Sequence, residues 1–244
     1  TITEPHRKTT EKTLKQNLIE YAAKTNIELG ISINDLKQTE QFNDLNYKYI
    51  YFGSEFCEEL IPSAKKLKEI LNYCQAQNKL LILLTPLLTE IGLKKVTELM
   101  PLLPVNSEVV FNDWGILNLI KKHQLQPRLG RLLLKVKREP RKTDEKTLNY
   151  LCTSNLEEKT FQKYLLNNNI KAVELDNIWQ GYNANLPQEF NNSLYFPYVY
   201  ITTTKKCLFK ENNICKKNCM QKYIDANLRK YNKKILINGN TQFY

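Results

Sequence analysis

The sequence lacks any long hydrophobic run, and this absence limits where the protein can act. The longest apolar stretch is Leu80–Leu84, which Thr85 and Pro86 bring to an end. A membrane-spanning helix needs about 20 apolar residues, so no span is predicted. The segment Thr1–Lys12 is polar and charged and does not have the pattern of a secretory signal. We therefore expect a cytoplasmic protein whose six cysteines are reduced.

Two further motifs that would identify common enzyme classes are missing. His6 and His123 are the only histidines, and no Gly-x-Ser-x-Gly segment is present, so a Ser-His-Asp hydrolase is not expected. No glycine-rich turn follows any strand-like segment. This absence argues against a dinucleotide-binding fold.

Acidic residues are too few to balance the basic ones, and the net charge is +11. Such an excess favours an anionic partner, either a small molecule or RNA, although a composition rich in Lys and Asn explains it equally well. The basic residues concentrate in Arg128–Arg141 and in Lys205–Lys217. The first segment could bind a phosphate, a carboxylate substrate or an RNA backbone, and the alternative is a solvated surface.

Strand-like and helix-like segments alternate along most of the chain. The predicted strands are Ile27–Ile33, Tyr47–Gly53, Leu80–Leu84, Glu108–Asn112, Leu148–Cys152, Ala172–Asp176, Leu194–Thr202 and Lys234–Ile237. The predicted helices are Thr9–Lys24, Ile61–Gln77, Leu88–Met100, Ile116–His123 and Leu156–Asn167, with a further helix from Cys219 to Lys230. This alternation indicates βαβ units and a parallel sheet. We predict one TIM-barrel-like (β/α) domain over residues 1–244, possibly an incomplete barrel, with a cysteine-containing extension from about residue 203; a doubly wound open sheet is the alternative.

Cysteine spacing is the strongest signal for a functional site. Cys207, Cys215 and Cys219 are spaced C-x7-C-x3-C, and Cys57 follows the second predicted strand. Four thiolates can bind a [4Fe-4S] cluster or a zinc ion, and the spacing alone does not choose between them. Plain buried thiols are the third possibility. Cys74 recurs with apolar residues at helical spacing and is predicted to lie in the core.

Lysines accompany the three late cysteines. They are Lys205, Lys206, Lys216 and Lys217. Because nearby cations stabilise thiolates, we expect these lysines to lower the pKa of the cysteines.

Several polar residues lie at or near the ends of predicted strands, where a barrel carries its active site. Our candidates for the catalytic pocket are Asn112, Asp113, Arg128 and Arg131. A helix cap explains Asp113 equally well. Glu174 and Asp176 alternate with apolar residues, which predicts either a polar pocket inside the barrel or a solvated edge strand.

Four segments resemble the collagenase-like peptidase family, in particular its branch of oxygen-independent ubiquinone-hydroxylation proteins. They are Tyr51–Cys57, Glu108–Gly115, the group Cys207, Cys215 and Cys219, and Leu236–Gln242. The resemblance implies a (β/α)-barrel-like protein with a [4Fe-4S] cluster on Cys57 and the three late cysteines. It also implies anaerobic hydroxylation of an aromatic or RNA substrate, with a related family member as the heterodimer partner.

The chain departs from the family in two respects. The gap between Cys207 and Cys215 is shorter than in that branch, and the peptidase signature (Glu-x-Phe followed by a Gly, Cys and Ser cluster) is absent. A protease is therefore not expected. Two alternatives stay open: an RNA-binding or scaffold protein with a structural zinc or iron–sulfur site, and a peptidase-family protein without a cluster.

Overall fold

A computed structural model describes residues 4–137, 144–183, 186–205, 207–211, 214–217, 219, 224–228 and 233–244. Its larger sheet has seven strands, and each strand pairs in parallel with the next one along the chain. These strands are β1 Gly30–Ile33, β2 Tyr49–Gly53, β3 Leu80–Leu84, β4 Glu108–Phe111, β5 Gln126–Leu129, β6 Ala172–Asp176 and β7 Asn191–Tyr195. A doubly wound sheet would reverse its strand order, so that alternative is wrong.

Side-chain contacts between distant strands show that the large sheet is curled. The hydroxyl oxygens of Tyr51 on β2 and Ser193 on β7 are 2.8 Å apart, and either can be the donor. The rings of Tyr51 and Tyr195 also meet edge to face, with centroids 5.9 Å apart. A flat sheet would separate two strands five positions apart by roughly 24 Å, because neighbouring strands are about 4.8 Å apart. The sheet is therefore a curled half-barrel, which confirms a barrel-like α/β fold.

Six helices occur in the described part of the chain. They are α1 Glu4–Thr25, α2 Ala64–Ala76, α3 Glu90–Leu99, α4 Leu117–Lys122, α5 Glu145–Leu151 and α6 Lys159–Asn167. None of them combines the length and hydropathy of a membrane span. The main core forms where helices pack on the outer face of the sheet, for example Leu67 and Ile70 of α2 with Ile50 and Phe52 of β2. Cys74 is buried in this core, as its spacing predicted.

The opposite face of the sheet is the concave, inner one. It carries a small apolar cluster around Ile82, Leu84 and Val110, against which Tyr49 and Tyr51 pack. Polar and charged side chains occupy the same face on β5, β6 and β7. The inner face is therefore partly apolar and partly ionic.

A second, antiparallel sheet follows the half-barrel. Its strands are β8 Tyr200–Thr203, β9 Ile224–Leu228, β10 Lys233–Asn238 and β11 Thr241–Phe243, in the order β8-β11-β10-β9. β10 and β11 form a hairpin, and its turn contains Gly239 at φ 60°, a left-handed conformation that favours glycine. Phe56 joins the two sheets, since its ring lies 5.4 Å from that of Tyr200 and 5.5 Å from that of Phe243.

Three predicted elements are wrong. Leu148–Cys152 was predicted to be a strand, but helix α5 covers most of it and begins after Asp144, whose side chain accepts a hydrogen bond from the Thr147 amide. Leu194–Thr202 is not one strand, because β7 ends before Phe196-Pro197 and β8 belongs to the second sheet. The helix predicted from Cys219 to Lys230 is contradicted by strand β9.

Candidate functional site

Cys57 lies just beyond the carboxyl end of β2. The Ser54 hydroxyl accepts hydrogen bonds from the amides of Phe56 and Cys57 at 3.3 and 3.2 Å, which folds the chain back into a tight turn. Cys57 then precedes a single 3-10 turn, Glu58–Leu60, and is half-buried. The turn places the thiol at the mouth of the half-barrel rather than in its wall.

The three late cysteines follow β8 of the second sheet. The carbonyl of Cys207 accepts a hydrogen bond from the Lys210 amide at 3.3 Å, and Glu211 and Ile214 then form an isolated β-bridge that returns the chain. Cys215 follows this bridge and is half-buried, whereas Cys219 is buried against the turn between β10 and β11. Cys207 therefore follows a strand of the second sheet rather than of the half-barrel, although its loop still reaches the cavity that Cys57 lines.

Burial is the main influence on the pKa values of Cys57 and Cys219. Burial raises the pKa of the Cys57 thiol above its usual range, and charge on Cys215 and Cys207 raises it further. Burial likewise raises the pKa of Cys219 to about 11, with added contributions from Cys207, Cys57 and Cys215. The direct geometric link is between Cys57 and Cys207, which line the same cavity.

The lysines do not have the effect expected of them. The pKa values of Cys57 and Cys219 are raised rather than lowered, and burial, not a lysine, is the largest influence on each. Lys205 and Lys216 are exposed, and Lys216 forms an ion pair with Glu211. Lys206 lies outside the described residues.

A cavity of ≈ 190 Å³ opens beside the cysteines. Cys57 and Cys207 line it together with the apolar side chains of Phe56 and Leu132, and Lys205 contributes a positive charge. Thiols, apolar groups and a cation therefore face one space. Among the residues that the structure describes, no group of three or more His, Cys, Asp and Glu side chains is arranged to grip a single metal ion.

Arg128 is buried on the inner face, 6% exposed, and all its donor groups are paired. Its Nε donates to Glu174, its Nη1 to Glu108 and its Nη2 to the Ser193 hydroxyl, each at 2.6 Å. Arg128 is therefore not part of an exposed basic surface formed by the segment Arg128–Arg141. It joins β4, β5, β6 and β7 through one guanidinium.

Arg131 follows β5 and lies between the inner face and the cysteines. Its Nη2 donates to Glu55 and its Nη1 to Asp176, both at 2.7 Å. Its guanidinium carbon also lies 3.9 Å from the centroid of the Tyr195 ring and 5.1 Å from that of Phe56. Because Glu55 and Phe56 directly precede Cys57, Arg131 connects the ionic cluster of the inner face to the cysteine turn.

Glu174 and Asp176 are both fully buried in ion pairs with Arg128 and Arg131, so the solvated edge strand is wrong. Burial raises the pKa of Glu174 to about 7, although Arg128 opposes this shift. One oxygen of Glu174, Oε2, has no hydrogen-bond partner among the described residues. Glu174 is therefore the carboxylate on the inner face that can take up a proton near neutral pH.

Asn112 and Asp113 are fixed by backbone contacts. Asn112 is 1% exposed; its Nδ2 donates to the Thr85 carbonyl at 2.9 Å, and its Oδ1 accepts from the Leu132 amide at 3.0 Å. Asp113 caps the following 3-10 turn by accepting from the Gly115 amide at 2.8 Å. These contacts support structural roles for both residues.

The basic segment Arg128–Arg141 is described only as far as Lys137. Arg128 and Arg131 are buried in ion pairs, and Lys137 donates to the Thr153 hydroxyl at 3.2 Å. Arg138 and Arg141 lie outside the described residues. The two arginines are thus not available to an RNA backbone, whereas Lys135 is exposed.

Sequence reasoning missed Glu55, Tyr195 and Asn240 as parts of the site. Glu55 had one usable signal, its place two residues before Cys57. Asn240 belongs to a segment already singled out for its resemblance, but nothing in its neighbours shows where its side chain points. Tyr195 lies on a strand whose partners are set by the curl of the sheet.

Comparison with known proteins adds no family to these observations. No family model, no curated protein and no solved structure matches the chain. The functional argument therefore depends on the geometry of the cysteines and on the short sequence segments described above.

Proposed function

We propose that this chain is an iron–sulfur protein in which Cys57, Cys207, Cys215 and Cys219 hold a [4Fe-4S] cluster. The observation that carries the proposal is that Cys57 and Cys207, from two distant parts of the chain, line one cavity, and that Asn240 bonds to the backbone beside each of them. Four thiolates are the usual ligand set of such a cluster. When bound, the cluster would supply one-electron redox chemistry next to the cavity.

The surroundings of the thiols fit such a group. The donor set is all sulfur, the softest that proteins offer, and histidine is absent from it. Phe56 and Leu132 give the cavity apolar surface, and charged side chains of both signs also line it, namely Lys205, Lys210, Glu58 and Glu59. Limited solvent access and nearby charge are two of the factors that tune the potential of an iron–sulfur group.

The activity that we propose is oxygen-independent hydroxylation, or related redox chemistry, on an aromatic or RNA substrate, by this chain or by a complex with a related subunit. The support for this part is the resemblance of four segments to the collagenase-like peptidase family. The inner face adds Glu174, a buried carboxylate with one unpaired oxygen among the described residues. The cavity beside Cys57 and Cys207, rather than the fully buried Glu174, would bind the substrate.

Metal analysis of protein purified without oxygen tests this proposal. We expect about four iron atoms and four sulfides per chain in the wild type, as one [4Fe-4S] cluster requires. Cys57→Ser should lose most of this iron. Cys152→Ser is the matched control, because Cys152 is buried and its Sγ donates to the Gln180 carbonyl at 2.9 Å, a contact that a serine hydroxyl can keep.

Two results would contradict the proposal. The first is an iron-free wild type with one zinc per chain, which would identify the structural-zinc alternative. The second is equal iron in the wild type and in Cys57→Ser, which would exclude Cys57 as a ligand.

A further inference from the structure

Asn240 occupies the turn between β10 and β11 and bonds to two segments outside that hairpin. Its Nδ2 donates to the carbonyl of Phe56 at 2.7 Å and to the carbonyl of Thr204 at 2.6 Å. Phe56 directly precedes Cys57, and Thr204 lies three residues before Cys207. One side-chain amide therefore connects the backbones that carry an early and a late cysteine.

The same turn also contacts a third cysteine. Asn238 Nδ2 donates to the carbonyl of Cys219 at 3.1 Å. A Cβ added to Gly239 would lie 3.5 Å from Cys219 Cβ and 3.6 Å from its Sγ, which is ordinary van der Waals contact. The segment Asn238–Asn240 thus touches the chain at or beside Cys57, Cys207 and Cys219.

The orientation of the Asn240 amide follows from its neighbours. A primary amide has two N–H donors and one carbonyl acceptor. Both acceptors on one side are backbone carbonyls, and on the other side Asn240 Oδ1 accepts from the Thr241 hydroxyl at 3.3 Å. A flipped amide would place its oxygen against two carbonyl oxygens, so only the observed orientation satisfies all three contacts.

The hairpin itself does not need this side chain. Its register is set by backbone pairing of Asn238 with Thr241, and its turn is set by the positive φ of Gly239. The donors of Asn240 are directed away from the hairpin toward the two cysteine-bearing segments. A role in hairpin stability alone would leave these contacts unexplained.

We propose that Asn240 is a positioning residue that holds the Cys57 turn against the Cys207 loop so that the four thiols converge. Its effect on thiol proximity is independent of any metal. Its effect on iron loading rests on the proposed function. Asn238 and Gly239 extend the same support to Cys219.

The test compares Asn240→Asp with Asn155→Asp. Both changes replace an amide with a carboxylate of the same shape, and both keep an acceptor that the backbone or a hydroxyl uses. Asn155 is a matched control because its Nδ2 donates to the Leu133 carbonyl at 3.2 Å and its Oδ1 accepts from the Lys135 amide. Asn240→Ala is the second variant, which removes both donors without adding a charge.

Two measurements are made on each variant. The first is the yield of disulfides that join Cys57 to any of the three late cysteines when the metal-free, folded chain is treated briefly with diamide, measured by peptide mass spectrometry. The second is iron and sulfide per chain after anaerobic reconstitution. Loss of two hydrogen bonds should lower the disulfide yield about tenfold in both Asn240 variants, and iron loading should fall with it. Asn155→Asp should match the wild type in both.

The outcomes separate the two proposals. A wild type that takes up no iron, combined with a low disulfide yield in the Asn240 variants, would support the positioning role and reject the iron–sulfur function. Wild-type disulfide yield in Asn240→Asp and Asn240→Ala would overturn the positioning role, whatever the iron content. An equal loss in Asn155→Asp would also overturn it, because the effect would then be one of general stability.

Discussion

At the scale of single residues, burial and ion pairing have opposite effects on the pKa of Glu174. Its Oε1 accepts from Arg128 Nε at 2.6 Å, an ion pair that alone would lower its pKa. Complete burial nevertheless raises the pKa to about 7, since an ionised carboxylate loses its hydration there. The alternation along β6 left burial and a solvated edge as alternatives, and it could not show the pairing, which comes from the neighbouring strand.

This shift predicts how stability changes with pH. The ordinary pKa of a glutamate, 4.5, applies to the unfolded chain and the folded pKa is about 7, so the folded state binds more protons between these values. The contribution of Glu174 is therefore most favourable below about pH 4.5 and decreases as pH rises to 7. Wild type should lose on the order of 3 kcal/mol of unfolding free energy across this window relative to Glu174→Gln.

Denaturant unfolding at several pH values measures this difference. The exposed Glu189→Gln variant serves as the control and should follow the wild-type profile. Parallel profiles of wild type and Glu174→Gln would show that Glu174 does not titrate in this range.

At the scale of elements, the carboxyl ends of β3, β4 and β5 are joined by side-chain bonds to the backbone. Asn112 after β4 bonds to Thr85 after β3 and to Leu132 after β5, and Gly130 passes closely beneath it. The sequence identified Asn112 from its place at the end of a strand but gave it a catalytic role. The structural contacts of Asn112 depend on its close packing against Gly130, which the spacing of residues in the sequence does not show.

Replacing Gly130 tests this packing. A Cβ there would lie 2.1 Å from Asn112 Oδ1 and 2.6 Å from the Phe111 carbonyl, so Gly130→Ala must displace backbone or break the Asn112 contacts. We expect a loss of on the order of 2 kcal/mol or more in unfolding free energy.

Gly115→Ala is the control, because its Cβ would meet only Asp113, at 3.1 Å from Oδ1 and 4.0 Å from Cγ. It should change stability by less than about 0.5 kcal/mol. A neutral Gly130→Ala would contradict the described packing.

Element boundaries were harder to predict where one apolar run contributes to two strands in different sheets. Leu194–Thr202 has uniform strand propensity, yet the chain leaves the half-barrel at Phe196-Pro197 and enters the second sheet at Tyr200. Only Pro197 indicated an interruption. Leu148–Cys152 has apolar and polar residues that fit a short strand, and the helical cap at Asp144 was the signal that decides against it.

At the scale of the whole molecule, the alternation of strands and helices was predictable from the sequence. The curl of the large sheet and the presence of a second sheet were not. Alternating segments led to a barrel-like parallel sheet, and the strands indeed pair in chain order. The curl that brings Tyr51 to Ser193 depends on contacts across the concave face. The second sheet depends on pairing between β8 and β11, which are far apart in the chain.

The convergence of the cysteines belongs to this largest scale. Cys57 reaches the site from the half-barrel, and the late cysteines reach it from the second sheet, whose hairpin turn contacts both groups through Asn240 and Gly239. The sequence predicted one site for all four, and the structure links Cys57 to Cys207 through a shared cavity. Cys207 reaches this cavity from β8 of the second sheet rather than from a strand of the half-barrel.

The visible absorption spectrum of protein prepared without oxygen tests the central claim most directly. The account predicts a brown protein with a broad iron–sulfur absorption that bleaches on addition of dithionite, and a colourless Cys57→Ser variant. A colourless wild type, or an absorption that Cys57→Ser leaves unchanged, would contradict it.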